Sequence, residues 1–337
     1  MPSSTPSSVA DVGEHALIAL IRARVPCAPA WVTVGLGDDA AVVEPVRNAL
    51  EVQTTDALVE GVHFDRAFTP PAAIGHRALA VNLSDLAAMG AAPRSALLSF
   101  VLPPSLLLTD FTAMVDAFLC LAEAHGVVLV GGNITRSPGP LMVDVTLTGA
   151  VRRRRVLTRS GARPGDEVWV SGEIGAAAAG LESLAAGLAG DPGLADCQAA
   201  FLTPEPRVRL GLLLGRNRAA GSCVDLSDGL ADGLHQLAGA SRAGIAVDGA
   251  AVPVSPAAAS WFAARGRDAV MAAMTGGDDY ELLFTVGPRE RPRFAAARRH
   301  ARGLRLTRIG VVRREPGVVV ERDGAAATVP SGFEHFQ

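Results

Sequence analysis

The strongest constraint on this chain is a change of apolar period that repeats on both sides of one break. Residues 14–25 place Leu17, Ile18, Ile21 and Val25 on one helical stripe. Residues 70–91 open on two prolines and put Ile74, Ala78, Val81 and Ala88 on a common face. Residues 107–126 form a third helical pattern, closed by Gly126. Between these lie strand-like runs at 31–37, 39–46, 49–58, 95–103, 127–133 and 141–151. In the last, Val143, Val145 and Leu147 alternate with Asp144 and Thr146. At Arg152-Arg153-Arg154-Arg155 and the Gly- and Pro-containing stretch after it, the periodicity stops. It then resumes, with strands expected at 167–172, 223–229, 244–249, 280–286, 304–312 and 317–324, and helices at 176–189, 206–217 and 230–244. The pattern predicts an α+β chain in two halves, residues 14–151 and 152–337, preceded by a flexible tail at 1–13. A length of 337 residues agrees, at roughly 150 residues per domain.

Composition narrows the chemistry. All 31 basic side chains are arginine, which excludes any P-loop, Schiff-base or strand lysine. Against 34 acidic residues the net charge is −3, a balance that argues against a nucleic-acid or membrane-surface protein. The Arg152–Arg155 run reads as a solvated edge. No apolar run reaches the roughly 18 residues of a membrane helix. Cys27, Cys120, Cys197 and Cys223 have no metal-binding or redox spacing, and read as free thiols of a reducing compartment. The first fifteen residues lack the basic and apolar regions of a secretory signal, so a cytoplasmic protein is expected.

The informative residues are aspartates at the ends of apolar segments: Asp38 and Asp39, Asp56, Asp85, Asp225 and Asp228, and Asp278 and Asp279. An N-cap, a turn or an ion pair would account for any one of them alone. Asp85 follows Val81 by four residues and Ile74 by eleven, so a helix would project it from the apolar stripe. A carboxylate there costs several kcal/mol unless paired or bound to metal, and a hard divalent cation suits it. The glycine-rich pieces GLGDD, VGGN, SDG and TGGDD would let backbone approach a phosphate, yet none is a P-loop or a dinucleotide fingerprint. Phosphates bound here would be held through metal ions on aspartates, aided by arginine and backbone N–H groups.

In order along the chain, GLGDDAAVV, TTDALVEGVHF, AIGHRALAVNLSDLAAMGA, VGGNITRSPGPL, RSGARPGD, VDLSDGL and GGDDYELLFTV resemble the thiamine-monophosphate kinase family. That family belongs to an ATP-binding superfamily with aminoimidazole ribonucleotide synthetase, selenophosphate synthetase and a hydrogenase maturation factor. The resemblance runs from about Glu14 to the terminal SGFEHF. It implies the two-domain aminoimidazole ribonucleotide synthetase-like fold and a homodimer paired through the first half. The implied reaction is transfer of a phosphoryl group from ATP to thiamine monophosphate, assisted by several Mg²⁺ ions.

Motif by motif, the resemblance implies that Asp38, Thr54, Thr55, Asp56, Asp85, Asn133, Asp225 and Asp228 ligate magnesium. Gly132, Asn133, Arg159 and Ser227 would meet ATP. His63, Asp278 and Phe333 would contact thiamine monophosphate, and no side chain would be needed as a general base. Two positions depart from the family pattern: Asn133 stands where VGGD ends in aspartate, and Asp278 where GGED carries glutamate. Asparagine keeps an oxygen but removes a charge. The alternatives are a superfamily relative that activates another acceptor with ATP, and a non-catalytic nucleotide-binding relative.

Overall fold

A computed structural model describes residues 7–330 except 302 and 323. The chain forms two compact units, residues 1–82 with 93–150, and residues 83–92 with 151–337.

The first unit contains α1 (Val9–Val12), α2 (Glu14–Arg24), β1 (Val32–Val34), β2 (Val42–Val43), β3 (Leu50–Val59), α3 (Pro71–Ala88), β4 (Ala92–Leu102), α4 (Leu108–His125), β5 (Val128–Arg136) and β6 (Met142–Val151). The last turn of α3 and the first residue of β4 group with the second unit. A four-stranded sheet has the order β3-β6-β4-β5, with β4 and β5 parallel. Alternation, strict along β6, gives it a core face, where Leu98, Phe100, Val143, Val145 and Leu147 are buried. The Phe100 ring meets Phe111 of α4 edge-on at 5.2 Å. On the other face, Thr55, Leu97, Ser99, Asp144 and Thr146 stay partly or fully accessible. Helix α4 ends as expected, with Gly126 left-handed at φ 66°.

Helix α3 departs from the amphipathic reading. Arg77, Leu79, Asn82, Leu83, Ser84 and Leu86 are all buried, so the helix has no solvated face. Asp85 is one of the few positions from Ala73 onward that keeps some exposure. The described part of the expected tail is also tied down. Ser7 carbonyl accepts from the Leu108 amide at 2.9 Å, the Val9 amide donates to Leu106 at 2.8 Å, and Val9 is buried. Residues 1–6 lie outside the described residues.

The second unit contains β7 (Glu167–Ser171), α5 (Ala176–Ala185), α6 (Ala195–Leu202), α7 (Val208–Asn217), β8 (Cys223–Asp225), α8 (Leu230–Ser241), β9 (Gly244–Asp248), α9 (Pro256–Ala263), α10 (Ala269–Thr275), β10 (Leu282–Val286), α11 (Arg291–His300), β11 (Leu306–Arg313), β12 (Gly317–Arg322) and β13 (Ala325–Thr328). Its seven-stranded sheet runs β13-β12-β9-β11-β7-β10-β8, antiparallel except for the β12–β9 pair. One face carries a continuous core in which Val168, Val170, Leu283 and Ile245 meet Leu234 of α8, Phe262 of α9 and Met274 of α10. On the opposite face, the Phe294 ring of α11 packs at a tilt against Trp169 at 4.9 Å and Phe284 at 5.6 Å. This is an α+β fold built on mixed sheets. Among the described residues no helix is long and apolar enough to cross a membrane.

Candidate active site

In the second unit, β8 is short and wholly buried, and it ends on Asp225. Asp225 is 7% exposed and accepts a 2.7 Å hydrogen bond from the Ser84 hydroxyl. Burial, and then the neighbouring Asp85 carboxylate, hold its carboxyl well above the ordinary range; the Ser84 bond and the Arg159 charge act in the opposite direction. The structure therefore brings together four residues from three distant stretches of sequence: Ser84 and Asp85 from α3, Arg159 from the segment before β7, and Asp225. The Cys223 amide donates to Thr158 carbonyl at 2.8 Å, which fixes the chain beside Arg159.

Beyond Asp225 the chain turns through Ser227 and Asp228, whose side chains are 3.3 Å apart, and enters α8 through Gly229 at φ 92°. The TGGDDYE segment lies along this turn. The Asp278 amide donates to Ser227 carbonyl at 2.7 Å, the Tyr280 amide to Leu226 carbonyl at 3.0 Å, and the Leu226 amide to Glu281 carbonyl at 2.9 Å. Gly277 is required here, because a Cβ would stand 2.7 Å from the Ser227 carbonyl oxygen. Asp278 and Tyr280 both have left-handed backbone, at φ 67° and 49°.

The segment's other two acids serve the scaffold. Both Asp279 carboxylate oxygens accept from the Gly175 amide at 3.0 Å, capping α5 from the loop before β10. Burial nonetheless pushes the Asp279 carboxyl well up, despite these backbone donors. Glu281 is buried, accepts from the Ser171 hydroxyl, and takes a two-pronged ion pair from Arg207. Neither role was legible locally.

In the first unit, α2, the Leu36–Ala41 loop and the open face of β4, β5 and β6 enclose a cavity of about 1050 Å³. Asp38, Gly132 and Asn133 line it, as do Arg22, Asp144 and Thr146, which the sequence did not single out. Asp38 is exposed, and its Oδ1 accepts from the Asp39 amide at 2.9 Å. Asn133 pairs in register with Ser99 of β4. Gly132 has a packing reason to be glycine: a Cβ would stand 1.9 Å from Leu98 carbonyl oxygen.

Strand alternation divides the Thr54-Thr55-Asp56 motif. Thr55 is exposed, whereas Thr54 and Asp56 are half-buried and leave the opposite face of β3. Thr55 donates to Asp144 Oδ1 at 3.1 Å and lies 3.2 Å from the Thr146 hydroxyl. The His63 Nδ1 accepts from the Val59 amide at 3.1 Å, which ties the Gly61 turn. Phe333 lies outside the described residues.

These donors suit a hard divalent cation. They are carboxylate, amide and hydroxyl oxygens, and Asp85 beside buried Asp225 is a like-charged pair that a cation would relieve. Among the described residues no three His, Cys, Asp or Glu converge closely enough to hold an ion by themselves. Such a donor set matches Mg²⁺, which commonly takes one or two carboxylates and completes its shell with water and substrate phosphate.

The model of the family described as "AIR synthase related protein, N-terminal domain" matches residues 37–151, and that of the C-terminal domain matches residues 163–323. A relative from Escherichia coli, thiamine-monophosphate kinase, is 38% identical over 335 residues, covering 96% of this chain and 98% of that protein. The crystal structure of thiamine-monophosphate kinase from Stenotrophomonas maltophilia superposes with a TM-score of 0.82 at 39% identity, covering 94% and 98% of the two chains. A structure of AaThiL complexed with AMPPCP and TMP superposes with a TM-score of 0.77 at 33% identity, covering 99% and 100%. With both domains matched and identity sustained over nearly its full length, this chain belongs to the thiamine-monophosphate kinase family of AIR synthase-related proteins.

Proposed function

We propose that this protein phosphorylates thiamine monophosphate to thiamine diphosphate with ATP, by direct in-line transfer. The observation that carries the reading is the 33% identity, over 99% of this chain, to a structure complexed with AMPPCP and TMP. A phosphate oxygen of thiamine monophosphate attacks the γ-phosphorus of ATP, and the bond from that phosphorus to the β-phosphate oxygen breaks, releasing ADP. The acceptor phosphate has a second pKa of about 6, so at neutral pH it is mostly a dianion and needs no base. Bound Mg²⁺ would supply charge neutralisation between two anionic phosphate groups.

The chain's own residues then position and offset charge. In the second unit, Asp85, Asp225 and Asp228 would hold cations, Ser84 fixes one Asp225 oxygen, and Arg159 and Ser227 would meet ATP. Asp278 would contact thiamine monophosphate, together with His63 and Phe333. In the first unit, Asp38, Thr54, Thr55, Asp56 and Asn133 would serve further cations, and Gly132 would let phosphate approach the backbone. We assign residues 14–151 to nucleotide binding and dimer formation, and residues 152–337 to completing the site. The cytoplasm, where ATP is made available, is the compartment this reading requires.

Purified protein with MgATP and thiamine monophosphate should yield ADP and thiamine diphosphate in equal amounts, without a phosphorylated protein intermediate. Absence of product at millimolar Mg²⁺, or a trapped labelled phosphoprotein, would overturn the reading.

A further inference from the structure

We propose that Asp144 is a positioning residue of the first unit's cavity, orienting the Thr55 hydroxyl and supplying negative charge on the face where Asn133 supplies none. The inference rests on the reading of this cavity as a metal–nucleotide site.

Asp144 sits in β6 between Val143 and Val145, both fully buried, so alternation sends it to the open face of the sheet. There it lines the cavity with Asp38, Asn133 and Thr146. Its Oδ1 accepts from the Thr55 hydroxyl at 3.1 Å. Among the described residues no arginine or histidine stands within ion-pair distance of it. A carboxylate on a sheet face with only a neutral hydroxyl partner leaves most of its acceptor capacity directed elsewhere.

The hydroxyl geometry extends the argument. A threonine oxygen carries one proton and two lone pairs. With the Thr55 proton committed to Asp144, and Thr146 close enough at 3.2 Å to donate in turn, a Thr55 lone pair remains for a cation. Asp144 is thus the terminal acceptor of a short hydroxyl chain. It also offsets, from the neighbouring part of the sheet, the charge that an amide at Asn133 does not provide. Hydrogen-bonded partners of metal ligands commonly change metal affinity by 10- to 100-fold when replaced.

The test is Mn²⁺ binding, followed by calorimetry, to the full chain saturated with a non-hydrolysable ATP analogue. Asp144→Asn keeps an acceptor for Thr55 and removes only charge. It should retain the metal-free melting temperature and need about tenfold more Mn²⁺ for half-saturation. Adding Asn133→Asp to that variant should recover most of the loss. A wild-type Mn²⁺ curve in Asp144→Asn would overturn the inference while leaving the proposed function standing. Failure of the wild-type protein to bind Mn²⁺ with the analogue would overturn both. Should Asp144→Asn not fold, Asp144→Ser, which also removes the charge, takes the same test with the same expected shift.

Discussion

Tyr280 donates its phenolic hydrogen to the Asp278 carboxylate at 3.0 Å, reaching back across a single residue. Left-handed backbone at both positions makes this possible, and it turns Asp279 the other way, onto the end of α5. Tyr280 is the chain's only tyrosine and is 7% exposed, so its ring is held by packing while its hydroxyl holds Asp278. A hydrogen bond to a charged group is worth about 1.5–3 kcal/mol. Tyr280→Phe should therefore raise the KM for thiamine monophosphate by roughly tenfold, with kcat and the KM for ATP little changed. Steady-state kinetics with each substrate varied in turn decide this. Equal effects on both KM values would show that the loop, and not Asp278 alone, had moved.

The Asp85–Asp225 pair makes a second, opposite kind of prediction. With no cation present, the Asp85 charge opposes ionisation of Asp225. Asp85→Asn removes that repulsion and a proposed metal ligand together. Its metal-free melting temperature should stay level or rise by about 2 °C, a shift that corresponds to under 1 kcal/mol for a domain of this size. Magnesium with nucleotide should no longer stabilise it, and turnover should be lost. Scanning calorimetry with and without Mg²⁺ and nucleotide reads the first two, and an ADP-release assay the third. Unfolding of Asp85→Asn, or full retained turnover, would make Asp85 a structural carboxylate.

Asp279 sets a pH dependence of stability. Its folded carboxyl is raised by burial above its unfolded value, so the folded state holds the proton more tightly. The sign follows from linkage: this contribution is fully present below the unfolded pKa and is lost as pH rises through the folded one. Asp279→Asn keeps an oxygen for the Gly175 amide and removes the buried charge. Relative to the parent, Asp279→Asn should be more stable at pH 8 than at pH 5, as read by urea unfolding at both values. Asp279→Ala, which removes the cap as well as the charge, should be about 1 kcal/mol less stable than Asp279→Asn at either pH.

What the sequence carried, and what it did not, follows from the range of the interactions. Helices α2, α3 and α4 and the strand runs were legible because periodicity is local, and Gly126 marked the end of α4. Helices α6, α9, α10 and α11 are short and, apart from α11, rich in alanine, so no stripe announced them. Thr54, Thr55 and Asp56 matched a family motif as a unit, yet period-two geometry divides them between two faces of β3. Asp144 was visible as the polar member of an alternating strand, but its partner Thr55 is 89 residues away. The same holds for Asp279 and Gly175, 104 apart, and for Glu281 and Arg207, 74 apart. Only the folded sheet shows which of several aspartates cap, which brace and which face a cavity.

The last prediction couples Asn133 to Asp144. Mg²⁺ favours anionic oxygen, and a neutral amide offsets less of the charge on bridging phosphates. Asn133→Asp should therefore lower the Mg²⁺ concentration needed for half-maximal activity. If both residues serve one ion environment in the cavity they line, their effects will not add. The leftward shift from Asn133→Asp should then be larger when Asp144 is already Asn than when it is intact, because the first replaced charge matters more than an added second one. Four magnesium-activation curves, for the parent, both single variants and the double variant, measure this directly. Equal shifts in the two backgrounds would place Asn133 and Asp144 in separate environments. Lost activity in Asn133→Asp would instead mean that the amide donates its NH₂ to a phosphate oxygen, a bond that a carboxylate cannot make.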